Sequence, residues 1–399
     1  MLGSRGRVAL RSRSCYEHAQ FSLAPGRAVS RPRSIHSSCA APATSIQPAP
    51  SATSAASVAS FDLENEYRYE CDAHWEPHRA TVPLSFPPLA HELLQGAEVC
   101  WKGWSRSISA PPTVCLVHGI LGGRNNLQSL AELIVRRHPG WQVLLVDLRC
   151  HGESASLPSR PQGPHGVQEA AHDLLQLLRQ LRLFPRVLIG HSFGGKVVMS
   201  MVQQFSAKLP RPVQVWALDT LPGPLAGRAA VQAAGGAHDP HDDSPSRLIE
   251  VLRGLPLPLP GRQAALDAVL GAGFSLPIAR WVATNLRPVR GSRGGPASPL
   301  TWTFDLEGIA EMYRSYEASG MWDLLHAPPQ GLELHFVRAE RSAYQWGADA
   351  AAIRSAGHGV HLLPAAGHWV HKDNPIGLYD LMAPSLRQAA APGRSGVPA

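Results

Sequence analysis

The chain has 399 residues and a formal net charge of +7, a length that accommodates one large α/β domain with an insertion and tails. Residues 1–61 hold seven arginines, no lysine and one acid, Glu17, so this segment carries +6 and residues 62–399 carry only +1. A nearly neutral folded part argues against nucleic acid or an anionic membrane as partner. No apolar run approaches the roughly 18 residues that span a bilayer, so no transmembrane segment is expected.

Residues 1–61 are rich in Arg, Ser, Ala and Pro, and they lack the apolar stretch of a secretory signal. This composition predicts an organellar transit peptide, with a merely disordered tail as the alternative. The alanine- and hydroxyl-rich stretch at 40–60 favours the chloroplast over the mitochondrion.

Metal and cofactor motifs are not evident in the sequence. Six cysteines are scattered along it: Cys15, Cys39, Cys71, Cys100, Cys115 and Cys150. None forms a C-x-x-C pair, the histidines and acids show no H-E-x-x-H spacing, and no G-x-x-x-x-G-K-[ST] phosphate loop occurs. We therefore expect no disulfide framework, no metal and no cofactor.

Regular alternation of strands and helices begins at Thr113. Antiparallel edge strands are expected before it, around Glu98–Trp104. Apolar strands are then predicted over Thr113–Val117, Val143–Asp147, 187–189, Val213–Leu218, Leu332–Val337 and Gly359–Leu363. Helices are predicted over Val167–Leu183, 196–207 and Ile376–Ala389. Nearly continuous apolar strands that alternate with helices indicate a parallel sheet covered on both faces.

The stretch 221–330 has a different pattern, with helices predicted over Ser246–Arg253, Gln263–Leu270, Pro277–Asn285 and Leu306–Leu325 and no evident strand. The expected fold class is therefore α/β, a doubly wound, mostly parallel sheet with a helical lid at 221–330 inserted between sheet strands. The core would comprise 62–220 and 331–390, and 391–399 would be a disordered tail. A peripheral helical subdomain is the alternative to a lid.

The turn after the strand at 187–189 fits the pattern G-x-S-x-G at Gly190, Ser192 and Gly194. A serine that projects its hydroxyl from a strand-to-helix corner needs a strained backbone and neighbours almost without side chains. Ser192 is therefore the predicted nucleophile.

A serine nucleophile needs a base, and the base needs an acid to orient it. His368 follows the last predicted strand and is the predicted base, whereas the surroundings of His371 look solvent-facing. Asp219 ends the strand after the nucleophile and is favoured as the acid, with Glu340, after the next strand, as the alternative.

Backbone N–H groups are expected to bind the negative charge of a tetrahedral intermediate. Phe193, directly after the nucleophile, would supply one, and Ile120 or its neighbour Leu121 would supply the other. The remaining histidines at strand ends are expected to be structural: His118, His151 and His191.

Four segments carry a resemblance to a known family: HGILGG at 118–123, LVDLRCHGES at 145–154, GHSFGGKVVMS at 190–200 and AGHWVHKDNP at 366–375. Together they resemble the α/β-hydrolase superfamily and, more narrowly, the YbfF-type acyl esterases and their organellar relatives, over residues 95–390. In those esterases the acid follows the strand after the nucleophile, which corresponds to Asp219.

The resemblance implies hydrolysis of carboxylic esters or thioesters with short to medium acyl chains, through an acyl-serine intermediate. The substrate would be a small molecule. Two other kinds of function remain open on the same fold. One is a ligand receptor or interaction scaffold without hydrolysis, and the other is a C–C hydrolase or perhydrolase that uses the same triad.

Overall fold

The structure is a computed structural model that describes residues 88–101, 111–156, 164–206, 214–225, 244–291 and 298–390. The predicted transit peptide at 1–61 and the predicted tail at 391–399 lie outside these ranges. Within them, no helix combines the length and the apolar character that crossing a membrane requires.

The described residues form a main sheet and a small hairpin. The strands are β1 (His91–Gln95), β2 (Thr113–Val117), β3 (Gln142–Val146), β4 (Val187–His191), β5 (Gln214–Leu218), β6 (Leu286–Pro288), β7 (Leu300–Trp302), β8 (Glu333–Ala339) and β9 (Gly359–Leu363). The main sheet has the order β1-β3-β2-β4-β5-β8-β9, and β6 pairs with β7. Every pair in the main sheet is parallel except β1 with β3.

The helices connect and cover these strands. They are α1 (Ala97–Trp101), α2 (Gln128–Arg137), α3 (Val167–Leu181), α4 (Phe193–Phe205), α5 (Pro245–Arg253), α6 (Arg262–Gly271), α7 (Leu276–Ala283), α8 (Leu306–Ala318), α9 (Trp322–His326), α10 (Gly347–Ser355), α11 (Val370–Asp373) and α12 (Pro375–Ala390).

Both faces of the sheet are buried, as strand β2 illustrates. Cys115 and Val117 belong to one hydrophobic cluster, whereas Val114 and Leu116 belong to the other. Because successive side chains of a strand point to opposite faces, a strand between two cores must be apolar at every position. The predicted α/β class with a mostly parallel sheet is confirmed.

The prediction of an edge strand around Glu98–Trp104 is wrong where the structure describes it, because Ala97–Trp101 is helical. The antiparallel edge strand lies earlier, at β1, paired with β3. The chain leaves the sheet at Gly96, whose backbone lies so close to the Pro139 carbonyl that a side chain would clash with it. The chain therefore continues as helix α1 and does not extend the strand.

Helices α5 to α9 and the β6–β7 hairpin lie in the sequence between the neighbouring strands β5 and β8. We call this segment, residues 221–330, the insertion; its role as a lid stays a prediction. The expectation of no strand in it is wrong, because strands of three residues are too short to show a pattern. The single helix expected over Leu306–Leu325 is divided into α8 and α9 at Gly320, after which the Met321 N–H donates to the Pro222 carbonyl at 2.7 Å.

Left-handed backbone conformations are concentrated at one edge of the sheet. Five non-glycine residues with positive φ follow the carboxyl ends of strands β2, β3, β4, β5 and β9: Leu121, Cys150, Ser192, Asp219 and Ala365. Such conformations are costly for residues with a Cβ. In open α/β sheets this is also the edge at which ligands bind.

Candidate active site

Ser192 lies at the corner between β4 and α4, with φ 51° and ψ −116°. The neighbouring glycines make this corner possible. A Cβ at Gly190 would clash with the Gly194 carbonyl, and one at Gly194 would lie 2.5 Å from the carbonyl oxygens of Val117 and His118. The backbone is held from the next strand, since the Ser192 N–H donates to Leu218 O at 2.9 Å. The helix therefore starts at Phe193, three residues earlier than the sequence predicted.

Asp219 and His368 are brought together at the same edge of the sheet. His368 Nδ1 lies 2.8 Å from Asp219 Oδ2, and the second carboxylate oxygen accepts from the Ala339 N–H at 3.2 Å. The Asp219 side chain is fully buried, whereas that of His368 is 33% exposed. A buried carboxylate on Nδ1 fixes the ring so that Nε2 is the nitrogen left for proton transfer.

Glu340, the alternative acid, lies elsewhere. Its carboxylate accepts a hydrogen bond from the Ala365 N–H at 2.8 Å, and its side chain is exposed. The contact ties the end of β8 to the turn that precedes His368. It stabilises that turn without contact to the imidazole.

The expectation that His371 faces solvent is wrong. Its side chain is buried, and its ring lies 4.7 Å from that of His191. The cause is the short helix α11, which turns the chain back onto the sheet directly after His368. Burial lowers the pKa of His371 to about 4, with His368 lowering it further, so His371 is uncharged at neutral pH.

The turn between β2 and α2 lies against the serine, since a Cβ at Gly119 would lie 3.3 Å from Ser192 Cβ. Of the two residues considered for the oxyanion donor in this turn, Leu121 already donates its N–H to His151 Nε2 at 3.0 Å. This bond makes Ile120 the better candidate. Phe193, the candidate for the other donor, is the first residue of α4 and is buried.

The other three histidines make local hydrogen bonds. His118 Nε2 accepts from the Leu148 N–H at 3.0 Å, and His151 Nδ1 pairs with the Arg149 carbonyl at 2.8 Å. His191 donates from Nε2 to the carbonyl of His368 at 2.8 Å, which fixes the loop that carries the predicted base. Burial lowers the pKa of all three, that of His151 to about 3, so they hold the strand ends as neutral groups.

Two tyrosines that the sequence analysis missed lie beside Ser192. Tyr316 is on α8 of the insertion and Tyr344 follows β8, and their hydroxyls are 3.2 Å apart. Burial raises the pKa of each well above its ordinary value, and each hydroxyl also interacts with that of Ser192. Both therefore stay protonated and are potential hydrogen-bond donors. No spacing pattern links them to Ser192, because they follow it by more than a hundred residues.

Lys196, in the first turns of α4, is completely buried and connects the serine corner to the insertion. Its Nζ donates to the carbonyls of Gly223 at 2.9 Å, Tyr316 at 2.7 Å and Ser319 at 2.7 Å. It also lies 4.5 Å from the centre of the Tyr316 ring. Two of these carbonyls end α8, where the helix dipole favours a cation.

A family model described as the alpha/beta hydrolase fold matches residues 112–236. The sn-1-specific diacylglycerol lipase ABHD11 of Mus musculus is 28% identical over 335 residues, 78% of this chain and 94% of that protein. Esterase YbfF of Escherichia coli is 34% identical over 103 residues, 26% of this chain and 37% of its own. A solved marine microorganism esterase has a similar fold, with a TM-score of 0.56 and 18% identity over 75% of this chain and 98% of its own. The chain has the α/β-hydrolase fold, and the relatives it is similar to are esterases and lipases.

Proposed function

We propose that this protein is a serine hydrolase that cleaves ester or thioester bonds of small to medium acyl substrates through an acyl-Ser192 intermediate. The observation that carries the proposal is the 2.8 Å contact of His368 Nδ1 with the buried carboxylate of Asp219, on the sheet edge that also holds Ser192 in its strained turn. The similarity to esterases and a lipase supports the same chemistry.

In the proposed reaction the Ser192 Oγ attacks the acyl carbonyl carbon while His368 Nε2 takes the hydroxyl proton. Asp219 stabilises the imidazolium that results, and the N–H groups of Phe193 and Ile120 bind the oxyanion. His368 then gives the proton to the leaving alcohol or thiol. Water attacks the acyl-enzyme by the same route, releasing the acid and restoring the serine.

A fluorophosphonate probe tests this mechanism, because it phosphonylates only a serine that an adjacent base activates. We expect one label on the wild-type chain, none on Ser192→Ala, and full labelling of Ser200→Ala. Ser200 is a matched control, since it is also buried in α4 and its Oγ accepts from Gln204 Nε2 at 2.8 Å. Failure to label the wild type, or equal labelling of Ser192→Ala, would refute the proposal.

The substrate class is tested by a screen of acyl esters and acyl thioesters of increasing chain length. Diacylglycerol belongs in this screen because the mouse relative carries the name of an sn-1-specific diacylglycerol lipase. We expect turnover of short to medium acyl chains that is lost in Ser192→Ala. Tight binding without turnover, unchanged in Ser192→Ala, would instead favour a ligand receptor.

We also propose that residues 1–61 direct the protein to an organelle, the chloroplast rather than the mitochondrion. The support is compositional: seven arginines, one acid and a serine- and alanine-rich stretch. A fusion of residues 1–61 to a fluorescent protein, offered to isolated chloroplasts and mitochondria, tests the choice. Import into neither organelle would refute the targeting role.

A further inference from the structure

A cysteine, a histidine and an aspartate converge where the insertion meets the core. Cys150 follows β3, His165 precedes α3, and Asp305 precedes α8. Their potential ligand atoms all lie within 4.8 Å of one another. We propose that Cys150, His165 and Asp305 form a binding site for a zinc ion that joins the insertion to the core.

The spacing of the thiol and the imidazole fits this metal. Cys150 Sγ lies 3.4 Å from His165 Nδ1. Tetrahedral zinc takes sulfur at about 2.3 Å and nitrogen at about 2.0 Å, which places two such ligands roughly 3.5 Å apart. The two atoms are therefore already separated as neighbouring zinc ligands are.

The carboxylate approaches the thiol across a glycine. A Cβ at Gly308 would clash with Cys150 Sγ and lie 2.9 Å from Asp305 Oδ2. The absence of a side chain there lets the first turn of α8 lie against the cysteine. The other carboxylate oxygen, Oδ1, accepts from the Gly308 N–H at 3.2 Å and caps the helix, which leaves Oδ2 as the ligand atom.

The ligand types select zinc among the common biological cations. A thiolate with an imidazole suits zinc, whereas magnesium and calcium prefer sites built from oxygen alone. Three protein ligands leave the fourth position to water. Binding releases the thiol proton of Cys150 to solvent, so the affinity falls as the pH falls.

Existing contacts already hold the site's two sides together. The Asp305 N–H donates to the Cys150 carbonyl at 2.9 Å, and the His165 N–H donates to Glu311 Oε2 on α8 at 3.1 Å. A metal at this junction would pin the start of α8, the helix that carries Tyr316. The sequence concealed the site, because its ligands are separated by 15 residues and then by 140.

Metal binding is measured on the full-length chain, reduced and freed of metal by dialysis against a chelator. Zinc is titrated in competition with a chromophoric chelator, and bound zinc per chain is measured by mass spectrometry after desalting. We expect one tightly bound zinc per chain. Cys150→Ser and His165→Gln should each weaken binding about 100-fold or more, since loss of even an outer-shell partner costs about 10–100-fold.

Cys115→Ser is the matched control, because the Cys115 thiol is also buried but lies inside strand β2. Burial raises the pKa of Cys115 to about 12, so it is a poor ligand, and its loss should leave zinc binding unchanged. Cobalt supplies a spectroscopic signature: a thiolate-to-cobalt charge-transfer band in the wild type and in Cys115→Ser that is absent from Cys150→Ser.

Melting temperatures with and without zinc test the site independently of the affinity of any variant that folds poorly. Zinc should raise the melting temperature of the wild type and of Cys115→Ser, because it binds the folded state. It should raise that of Asp305→Asn by clearly less, because this variant keeps a good helix cap but loses the charged ligand. Less than one zinc per wild-type chain, or equal zinc affinity in the wild type and Cys150→Ser, would overturn the proposal.

Discussion

Substitution of the buried Lys196 by methionine tests how the serine corner is attached to the insertion. Methionine keeps the apolar stem but removes the ammonium, so the carbonyls of Gly223, Tyr316 and Ser319 each lose a charged donor. The Gly223 carbonyl belongs to the segment after β5, and the other two belong to the end of α8, so Lys196 links both segments to helix α4. We expect lower stability and slower labelling of Ser192 by a fluorophosphonate.

The magnitude follows from the hydrogen bonds that the substitution removes. A hydrogen bond from a charged donor contributes about 1.5–3 kcal/mol, so the three bonds of Lys196 together represent roughly 5–9 kcal/mol. These values already include desolvation, but three bonds that share one ammonium do not add in full. The expected loss in the free energy of unfolding is therefore at the lower end of this range, about 5 kcal/mol.

Urea unfolding followed by circular dichroism measures this loss. Lys372→Met is the control, because Lys372 is exposed and its Nζ lies 5.5 Å from the centre of the Trp369 ring. An exposed cation of this kind contributes less than about 1 kcal/mol. If Lys196→Met and Lys372→Met cost the same, or if Lys196→Met labels at the wild-type rate, the reasoning about Lys196 is wrong.

Three further predictions concern the candidate site. Asp219→Asn should lower kcat by about 10⁴-fold by misorienting the His368 ring, whereas Glu340→Gln should change kcat little. Steady-state assays on an ester that the wild type hydrolyses measure both effects. The reverse result would make Glu340 the acid. Tyr344→Phe should lower kcat about tenfold, the loss of one hydroxyl hydrogen bond, and an unchanged kcat would show that the hydroxyl only packs. His371→Gln should make the stability of the protein less sensitive to acid. In the wild type the pKa of His371 is about 4 in the folded state against an ordinary 6.5, so between these pH values the unfolded chain binds a proton that the folded chain does not. The free energy of unfolding of the wild type therefore falls by about 1.4 kcal/mol for each pH unit from 6.5 towards 4. Urea unfolding at pH 7.5 and pH 5 measures this, and an equal loss in both proteins would contradict it.

Much of the sheet was predictable because burial on both faces leaves a plain signal. The strands at Thr113–Val117 and Gly359–Leu363 were predicted with their observed bounds. The edge strand β1 was misplaced because its pairing with β3, a contact distant in sequence, decides where it lies.

The candidate site was predictable where chemistry follows a strand end. Ser192, Asp219 and His368 each come directly after a strand or the turn that follows it, so sequence order and topology indicate them. Tyr344 was missed because a hydroxyl has no spacing signature. The burial of His371 was missed because polar neighbours in sequence do not reveal a helix that folds back.

The strained strand ends have a consequence for the heat tolerance of the protein. A left-handed conformation costs a residue with a Cβ roughly 1–2 kcal/mol relative to glycine, and this cost recurs at five positions along one edge, from Leu121 to Ala365. Laboratory selection for survival at high temperature would therefore find favourable glycine replacements at this edge. The same replacements would loosen the backbone around Ser192 and Asp219, so variants selected only for thermal stability would lose catalytic activity.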